Sequence, residues 1–203
     1  MGAVFLTSDQ HFSHKGVCEF TQSDGVTPLR PWNHPDEMDE ELVKRFNERV
    51  TVNDKCYMLG DVSINRKGLK LLDRLNCKNI VLIKGNHCIF KLSDYTQYFR
   101  DIRAYQVLNG LIMSHIPIHP SCMGRFGSNI HGHLHSNRVM KRNPEYDIWL
   151  KSGGKNNPPP QEIIDPIYFS VCVEQHDFYP VLFEDALKMI VDQGGSIGFK
   201  NKI

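Results

Sequence analysis

Three short apolar runs, each followed by a polar motif, constrain the fold more than any other feature of this sequence. They cover residues 4–6, 56–59 and 80–83. The last of them, Ile-Val-Leu-Ile, is too short for a helix and rich in β-branched residues, which is typical of a buried strand. In open α/β sheets, ligands collect beyond the carboxyl ends of the strands. The runs therefore predict an α/β fold with a site where the three strands end.

The polar motifs supply seven candidate metal ligands and one further histidine. They are Asp9-Gln10-His11, Gly60-Asp61, Gly85-Asn86-His87, Ser114-His115 and Gly132-His133-Leu134-His135. Carboxylate and amide oxygens combined with imidazole nitrogens suit divalent Mn, Fe, Zn or Ni. The set is large enough for two adjacent metal ions, and Asp61, central in the order and with two carboxylate oxygens, is the best candidate for a bridging ligand.

Each motif also has an ordinary structural explanation. Gly-Asp pairs are common in turns, and Gly85 and Asn86 both tolerate a positive φ. The position of the motifs after predicted strands favours ligands instead. The histidines agree, because only His34 and His176 of the ten lie away from the motifs.

In this order, the motifs resemble those of the calcineurin-like metallophosphoesterases, a family defined by D-x-H, G-D, G-N-H, H and G-H-x-H blocks. All five blocks are present. The extra His14 after the first block and the following Arg30-Pro31-Trp32 resemble the small single-domain phosphoesterases of bacteria and phages.

The resemblance implies two divalent metal ions, with Mn favoured among Mn, Fe, Zn and Ni. Asp61 would bridge them, and the further ligands would be Asp9, His11 and His135 for one ion and Asn86, His115 and His133 for the other. By the same resemblance, a metal-bound hydroxide attacks phosphorus. His87 would be the catalytic residue that donates a proton to the leaving oxygen or stabilises charge on it.

The sequence departs from the family pattern at one position. Many members carry an acidic residue after G-N-H, whereas this chain carries Cys88. The partner of His87 is therefore open, with Asp61 and Asp94 as alternatives. Three further residues are candidates for substrate binding, and for each a local structural role is the alternative. They are His14, His119 and Arg125.

The implied fold is a four-layer αββα sandwich, in which two mixed β-sheets are flanked by helices and the dimetal site lies at the carboxyl ends of the strands. We predict one metallophosphoesterase domain over residues 1–192 and a loosely held C-terminal tail over 193–203. Residues 136–166 lack a helix or strand pattern, which predicts an irregular insertion that is either a lid or disordered. We predict helices over 36–50, around 69–75 and over 183–191, a strand over 168–173, and a hairpin of 102–108 with 111–115.

The composition limits the function. A net charge of +1 gives little of the basic surface that long nucleic acids require. The charge therefore favours a small substrate, and the resemblance to the small single-domain members of the family implies a phosphodiesterase acting on a nucleotide-like phosphoester, cyclic ones included. A phosphomonoesterase, a nuclease of the same fold and a non-catalytic interaction scaffold are the alternatives. The absence of an apolar run near 20 residues predicts a cytoplasmic protein without a membrane partner. The oligomeric state is open.

Overall fold

The computed structural model describes residues 2–154 and 158–199, which form two mixed β-sheets, a two-stranded ribbon and six helices. The strands are β1 (Val4–Thr7), β2 (Lys55–Met58), β3 (Ile80–Ile83), β4 (Asp101–Arg103), β5 (Gln106–Leu108), β6 (Leu111–Ser114), β7 (Asn129–His131), β8 (Met140–Lys141), β9 (Ile163–Ile164), β10 (Tyr168–Ser170) and β11 (Val181–Leu182). The helices are α1 (Lys15–Glu19), α2 (Pro35–Arg49), α3 (Arg66–Lys70), α4 (Leu92–Tyr95), α5 (Glu145–Lys151) and α6 (Phe183–Asp192), and 3-10 turns cover Leu71–Arg74, Pro120–Cys122 and Val173–Gln175.

The first sheet has the order β11-β1-β2-β3-β4. Strands β1 to β4 are parallel to their neighbours and β11 is antiparallel to β1. Leu6, Tyr57 and Val81 lie side by side in one row across the sheet. Because parallel strands end at the same edge, the motifs that follow β1, β2 and β3 meet there. The α/β class with mixed sheets, and the predicted position of these motifs, are confirmed.

Helix α2 forms where the sequence predicts it. Its first turn contains Pro35, and the Nδ1 atom of His34 accepts a hydrogen bond from the Asp36 backbone amide at 3.2 Å. Proline is favoured at the first helical position because it has no amide proton to leave unpaired. The buried residues Leu42 and Phe46 belong to the apolar cluster that also contains the β2 residues Cys56 and Met58. The helix therefore covers one face of the first sheet.

The second sheet has the order β10-β7-β6-β5. Strands β5 and β6 form a hairpin whose turn residues Asn109 and Gly110 both have positive φ, at 50° and 73°. Asn-Gly is favoured in such tight turns because both residues tolerate the left-handed region. The predicted hairpin is confirmed for these strands. The prediction that it begins at residue 102 is wrong, because Ile102 pairs with Leu82 in the first sheet.

The two sheets share a second apolar cluster. Leu59, which directly follows β2, and Ile83 of β3 belong to the same buried group as Met113 and Ile130 from the second sheet, and all four are fully buried. Residues of α6, among them Phe183, join this cluster. The first sheet is thus buried on both faces, which explains why its central strands β1, β2 and β3 are nearly continuous apolar runs rather than alternating ones.

Residues 136–166 are more ordered than the sequence analysis predicted. They contain α5 and the antiparallel ribbon of β8 and β9. The prediction of an irregular insertion is wrong for these elements, which are too short to leave a clear periodic pattern. Residues 155–157 lie outside the described part of the chain.

The predicted C-terminal tail is held by hydrogen bonds as far as the structure describes it. The carbonyl oxygen of Ser196 accepts a hydrogen bond from the Ser128 hydroxyl at 2.7 Å. Phe199 forms a β-bridge with Phe126. Residues 200–203 of the tail lie outside the described residues. Within residues 2–154 and 158–199, no helix combines the length and apolar character needed to cross a membrane.

Candidate metal centre

The loops at the carboxyl edge of the first sheet have an unusual backbone. Asp9, His11, Asp61, His133 and His135 all have positive φ, between 49° and 72°. Side chains other than glycine rarely adopt this region, and such strain concentrates at functional sites. Five of the seven predicted ligands therefore lie on backbone that only the surrounding structure can hold.

Glycines allow these loops to approach the polar side chains closely. A Cβ atom added to Gly85 would lie 2.3 Å from Oδ1 of Asp61, and one added to Gly132 would lie 2.5 Å from Oδ2 of Asp9. Neither carboxylate could keep its place beside any larger residue. This explains why a glycine precedes the ligand candidates in both loops.

Six of the predicted ligands form two groups of three. In each group, one candidate ligand atom per residue lies within 4.8 Å of the others. The first group is Asp9, His11 and His135, and the second group is Asp61, His115 and His133.

Asp61 connects the two groups. Its Oδ2 atom lies 3.1 Å from Nε2 of His115 in its own group and 3.9 Å from Nε2 of His11 in the first group. The seventh predicted ligand, Asn86, extends the second group, because its Oδ1 atom lies 2.8 Å from Nε2 of His115. The side chains predicted as ligands are thus brought together, and Asp61 occupies the position expected of a bridge.

Buried polar atoms in the first group lack partners. Among the described residues, Oδ1 of Asp9 and both ring nitrogens of His11 are buried without a hydrogen bond. Burial, reinforced by the positive charge of Arg30, lowers the pKa of His11 to about 2. A neutral imidazole keeps the lone pair that a metal needs. The donor set and its unpaired atoms fit a divalent cation.

A backbone carbonyl fixes the orientation of His115 in the second group. The Nδ1 atom of His115 lies 2.7 Å from the carbonyl oxygen of Leu59, so Nδ1 donates a hydrogen bond and Nε2 faces the oxygens of Asp61 and Asn86. Burial opposes the charged form of this histidine, but the hydrogen bond to Asp61 and the negative charges of Asp9 and Asp61 together outweigh burial and raise the pKa of His115.

Sequence reasoning missed the two residues that support the first group. Glu174 accepts a hydrogen bond from Nδ1 of His135 at 2.9 Å. It also forms an ion pair with Arg30 at 2.7 Å. In the sequence, Arg30 stands out only as part of the run Arg30-Pro31-Trp32. A usable signal existed for Glu174, because it follows the predicted strand 168–173, as the other motifs follow their strands. Contact with Glu174 raises the pKa of His135 against the opposing effect of burial.

His87 lies at the exposed rim of the site. Its backbone amide donates to Oδ1 of Asp61 at 2.8 Å, and its ring centroid lies 5.6 Å from that of His11. Cys88 is buried beneath the loop, where its sulfur accepts from the Gly85 amide at 3.3 Å. Cys88 therefore supports the loop backbone.

Of the two carboxylates that could be partners of His87, only Asp61 is placed to contact it by the hydrogen bonds of the described residues. Asp61 contacts the backbone of His87, whereas the carboxylate of Asp94 accepts two hydrogen bonds from Arg66. Asp94 is thus engaged elsewhere.

The three candidates for substrate binding differ in position. The ring of His14 lies 5.5 Å from that of His11, beside the first group. His119 instead bonds Ser121 at 2.7 Å, and the guanidinium of Arg125 lies 4.8 Å above the ring of Phe199. Of the three, only His14 has a contact with a residue of the two ligand groups among the described residues. Substrate binding by all three stays a prediction.

Comparisons with known proteins give a fold relative and a sequence relative. No family model matches the chain. A crystal structure of the protein of unknown function AQ665 from Aquifex aeolicus superimposes with a TM-score of 0.62 over 93% of this chain and 100% of that chain, at 18% identity. That similarity shows a shared fold. The uncharacterized protein MJ1445 of Methanocaldococcus jannaschii is 31% identical over 196 residues, which cover 94% of this chain and 92% of the relative. The chain belongs to the family of MJ1445.

Proposed function

We propose that this protein is a dimetal-dependent phosphoester hydrolase of the calcineurin-like type. The observation that carries the proposal is the pair of three-residue groups joined through Asp61, with buried ligand atoms that lack partners. The proposal includes the four-layer αββα arrangement. The apolar cluster under α2 and the cluster between the two sheets support that arrangement.

Each group would hold one divalent cation, with Asp61 shared and Asn86 completing the second group. Oxygen and imidazole donors without thiolate suit Mn, Fe, Zn or Ni, and of these we propose Mn. Two such cations would supply positive charge to the phosphoryl oxygens and lower the pKa of bound water.

The proposed role of His87 is proton transfer. Its exposed ring is anchored through the bond of its backbone amide to Asp61, so the imidazole stays beside the centre while remaining open to a substrate. As the phosphorus–oxygen bond breaks, the His87 ring donates a proton to the leaving oxygen. His14, whose ring lies 5.5 Å from that of His11, would contact the substrate.

The charge pattern supports a small substrate. One basic stretch of the sequence contains Arg66, Lys67, Lys70 and Arg74, and of these Arg66, Lys67 and Arg74 each pair with a carboxylate of the same chain. The other basic stretch contains Arg138, Lys141 and Arg142, and of these Lys141 and Arg142 are paired. Paired cations contribute little to gripping a phosphate backbone. We propose a cytoplasmic phosphodiesterase for small nucleotide-like substrates, cyclic ones included.

Hydrolysis of a chromogenic phosphodiester and the matching monoester tests the proposal. Protein stripped with a chelator and reloaded with Mn²⁺ should cleave the diester faster. Asp61→Ala should lose both metals and nearly all turnover, whereas His87→Ala should retain both metals and lose mainly rate. Loss of metal from His87→Ala would show that the two roles are assigned wrongly.

The same assay separates the alternatives. Faster monoester cleavage would indicate a phosphatase, and cleavage of oligonucleotides that weakens with salt would indicate a nuclease. Failure of the wild-type protein to bind metal would favour the scaffold.

A further inference from the structure

Arg30 and Glu174 form a buried ion pair next to the first group. Arg30 is 1% exposed and the Glu174 side chain 2%. Burying two charges is costly unless both are well bonded. The pair is nevertheless placed against His135, which raises the question of what it does there.

One of the two carboxylate oxygens of Glu174 accepts all of its side-chain hydrogen bonds among the described residues. Its Oε1 atom accepts from Nε of Arg30 at 3.0 Å, from Nη2 of Arg30 at 2.7 Å and from Nδ1 of His135 at 2.9 Å. The Oε2 atom is buried without a hydrogen-bond partner among the described residues. One oxygen, fixed by the guanidinium, therefore determines where the His135 ring lies.

Arg30 also holds the loop that carries Asp9. Its Nη2 atom donates to the Asp9 carbonyl at 2.5 Å and its Nη1 atom to the Gln10 carbonyl at 2.7 Å. The planar guanidinium offers several donors in fixed directions, which a lysine ammonium does not. A single side chain thus connects the Asp9 loop to Glu174, and through Glu174 to His135.

A neighbouring contact strengthens the link to His135. Gln175, in the same 3-10 turn as Glu174, donates from Nε2 to the His135 carbonyl at 2.6 Å. The turn after β10 therefore holds both the ring and the backbone of His135.

Given the proposed function, on which this inference rests, we propose that Glu174 is the positioning residue of the first metal group. Its carboxylate keeps the proton of His135 on Nδ1, so that the Nε2 lone pair is left for the metal ion that Asp9 and His11 would also bind. The second group is built differently, because His115 donates to the neutral carbonyl of Leu59. A carboxylate partner makes an imidazole a stronger metal ligand than a carbonyl does. Metal affinity in the first group alone should therefore depend on Glu174.

Glu174→Gln tests this inference with little change of shape. The amide can keep its oxygen towards Arg30 and His135, but the negative charge is lost. The substitution is made in two backgrounds. His133→Ala leaves the first group complete, and His135→Ala leaves the second group complete.

Calorimetric titration with Mn²⁺ then gives one affinity for each chelator-stripped protein. Glu174→Gln should weaken binding roughly 10- to 100-fold in the His133→Ala background. It should leave the affinity unchanged in the His135→Ala background, where the partner ring is absent. Equal weakening in both backgrounds would indicate a general structural effect and overturn the inference, as would unchanged affinity in the first.

Two controls separate this inference from the proposed function. Glu48→Gln, which removes a carboxylate bonded to Tyr179 at the surface, should leave Mn²⁺ affinity unchanged in both backgrounds. Histidine nitrogen shifts of the metal-free wild-type protein report the tautomer directly and need no variant. A neutral His135 ring with its proton on Nδ1 supports the positioning role even if no metal binds, whereas a neutral ring with its proton on Nε2 refutes it.

Discussion

Replacing Glu174 by glutamine should destabilise the metal-free protein at neutral pH and remove part of its sensitivity to acid. The charge of Arg30, together with the bond from His135, lowers the pKa of Glu174 to about 2 against the opposing effect of burial, from an ordinary value of 4.5. The carboxylate is therefore held ionised by its partners. Glutamine resembles the protonated carboxyl, which these partners do not favour.

The magnitude follows from linkage between protonation and folding. Each factor of ten in the proton affinity corresponds to about 1.4 kcal/mol, so the difference between 4.5 and about 2 is worth about 3 kcal/mol. Because the pKa is lower in the folded state, this stability is fully present above pH 4.5. It is lost as the pH falls through the folded-state value of about 2, and roughly 2 kcal/mol of it should be gone by pH 3.

Urea unfolding in the presence of a chelator measures the effect. We expect Glu174→Gln to be less stable than the wild-type protein by about 3 kcal/mol at pH 7. The two proteins should approach each other as the pH falls towards 3. Carboxylates common to both proteins titrate equally, so the difference between the two curves isolates Glu174.

A constant difference between the two proteins from pH 7 to pH 3 would refute the reasoning, because it would mean that charge on Glu174 contributes nothing. Glu48→Gln serves as the matched control. Its curve should stay parallel to that of the wild-type protein, since no buried ion pair is lost.

Three further substitutions test the centre, the core and the C-terminal segment. Gly85→Ala places a Cβ atom 2.3 Å from Oδ1 of Asp61, so we expect weaker Mn²⁺ binding by calorimetry; unchanged binding would show that the loop can move without consequence. Ile130→Ala removes buried methylenes from between the two sheets and should lower the free energy of unfolding in urea by about 2–5 kcal/mol. A loss of only about 0.5 kcal/mol, as at a surface position, would contradict the shared core. Ser128→Ala removes the hydroxyl that donates to the Ser196 carbonyl and should lower the free energy of unfolding by about 1 kcal/mol. It should also accelerate proteolysis of the C-terminal segment. Equal proteolysis of the two proteins would contradict the anchoring.

Much of the first sheet could be predicted because its signals are local. A strand such as β3 is read from four consecutive apolar residues, and α2 from apolar spacing and a proline at its start. The positions of Asp9, Asp61 and Asn86 followed from the strands that precede them. The geometry of the six grouped ligands agrees with that prediction, although their role as ligands stays a proposal.

Other features could not be predicted from local sequence, because the same residue pattern is compatible with more than one position in the fold. Ile102 has the apolar, β-branched character of a strand residue in either sheet, and only its pairing with Leu82 places it in the first. The short elements in 136–166 are too brief for a period to show. Elements such as α5 then depend on contacts rather than on pattern.

By itself, the sequence determined the α/β class, the order of the ligand motifs and their location after the strands of the first sheet, because chain connectivity and periodicity encode these directly. Only the tertiary structure decided the left-handed backbone at Asp61 and the partners of the histidines. Arg30 and Glu174 are 144 positions apart in the chain. Two buried charges so distant meet only when packing removes both from water, so no local pattern in the sequence could reveal their pairing.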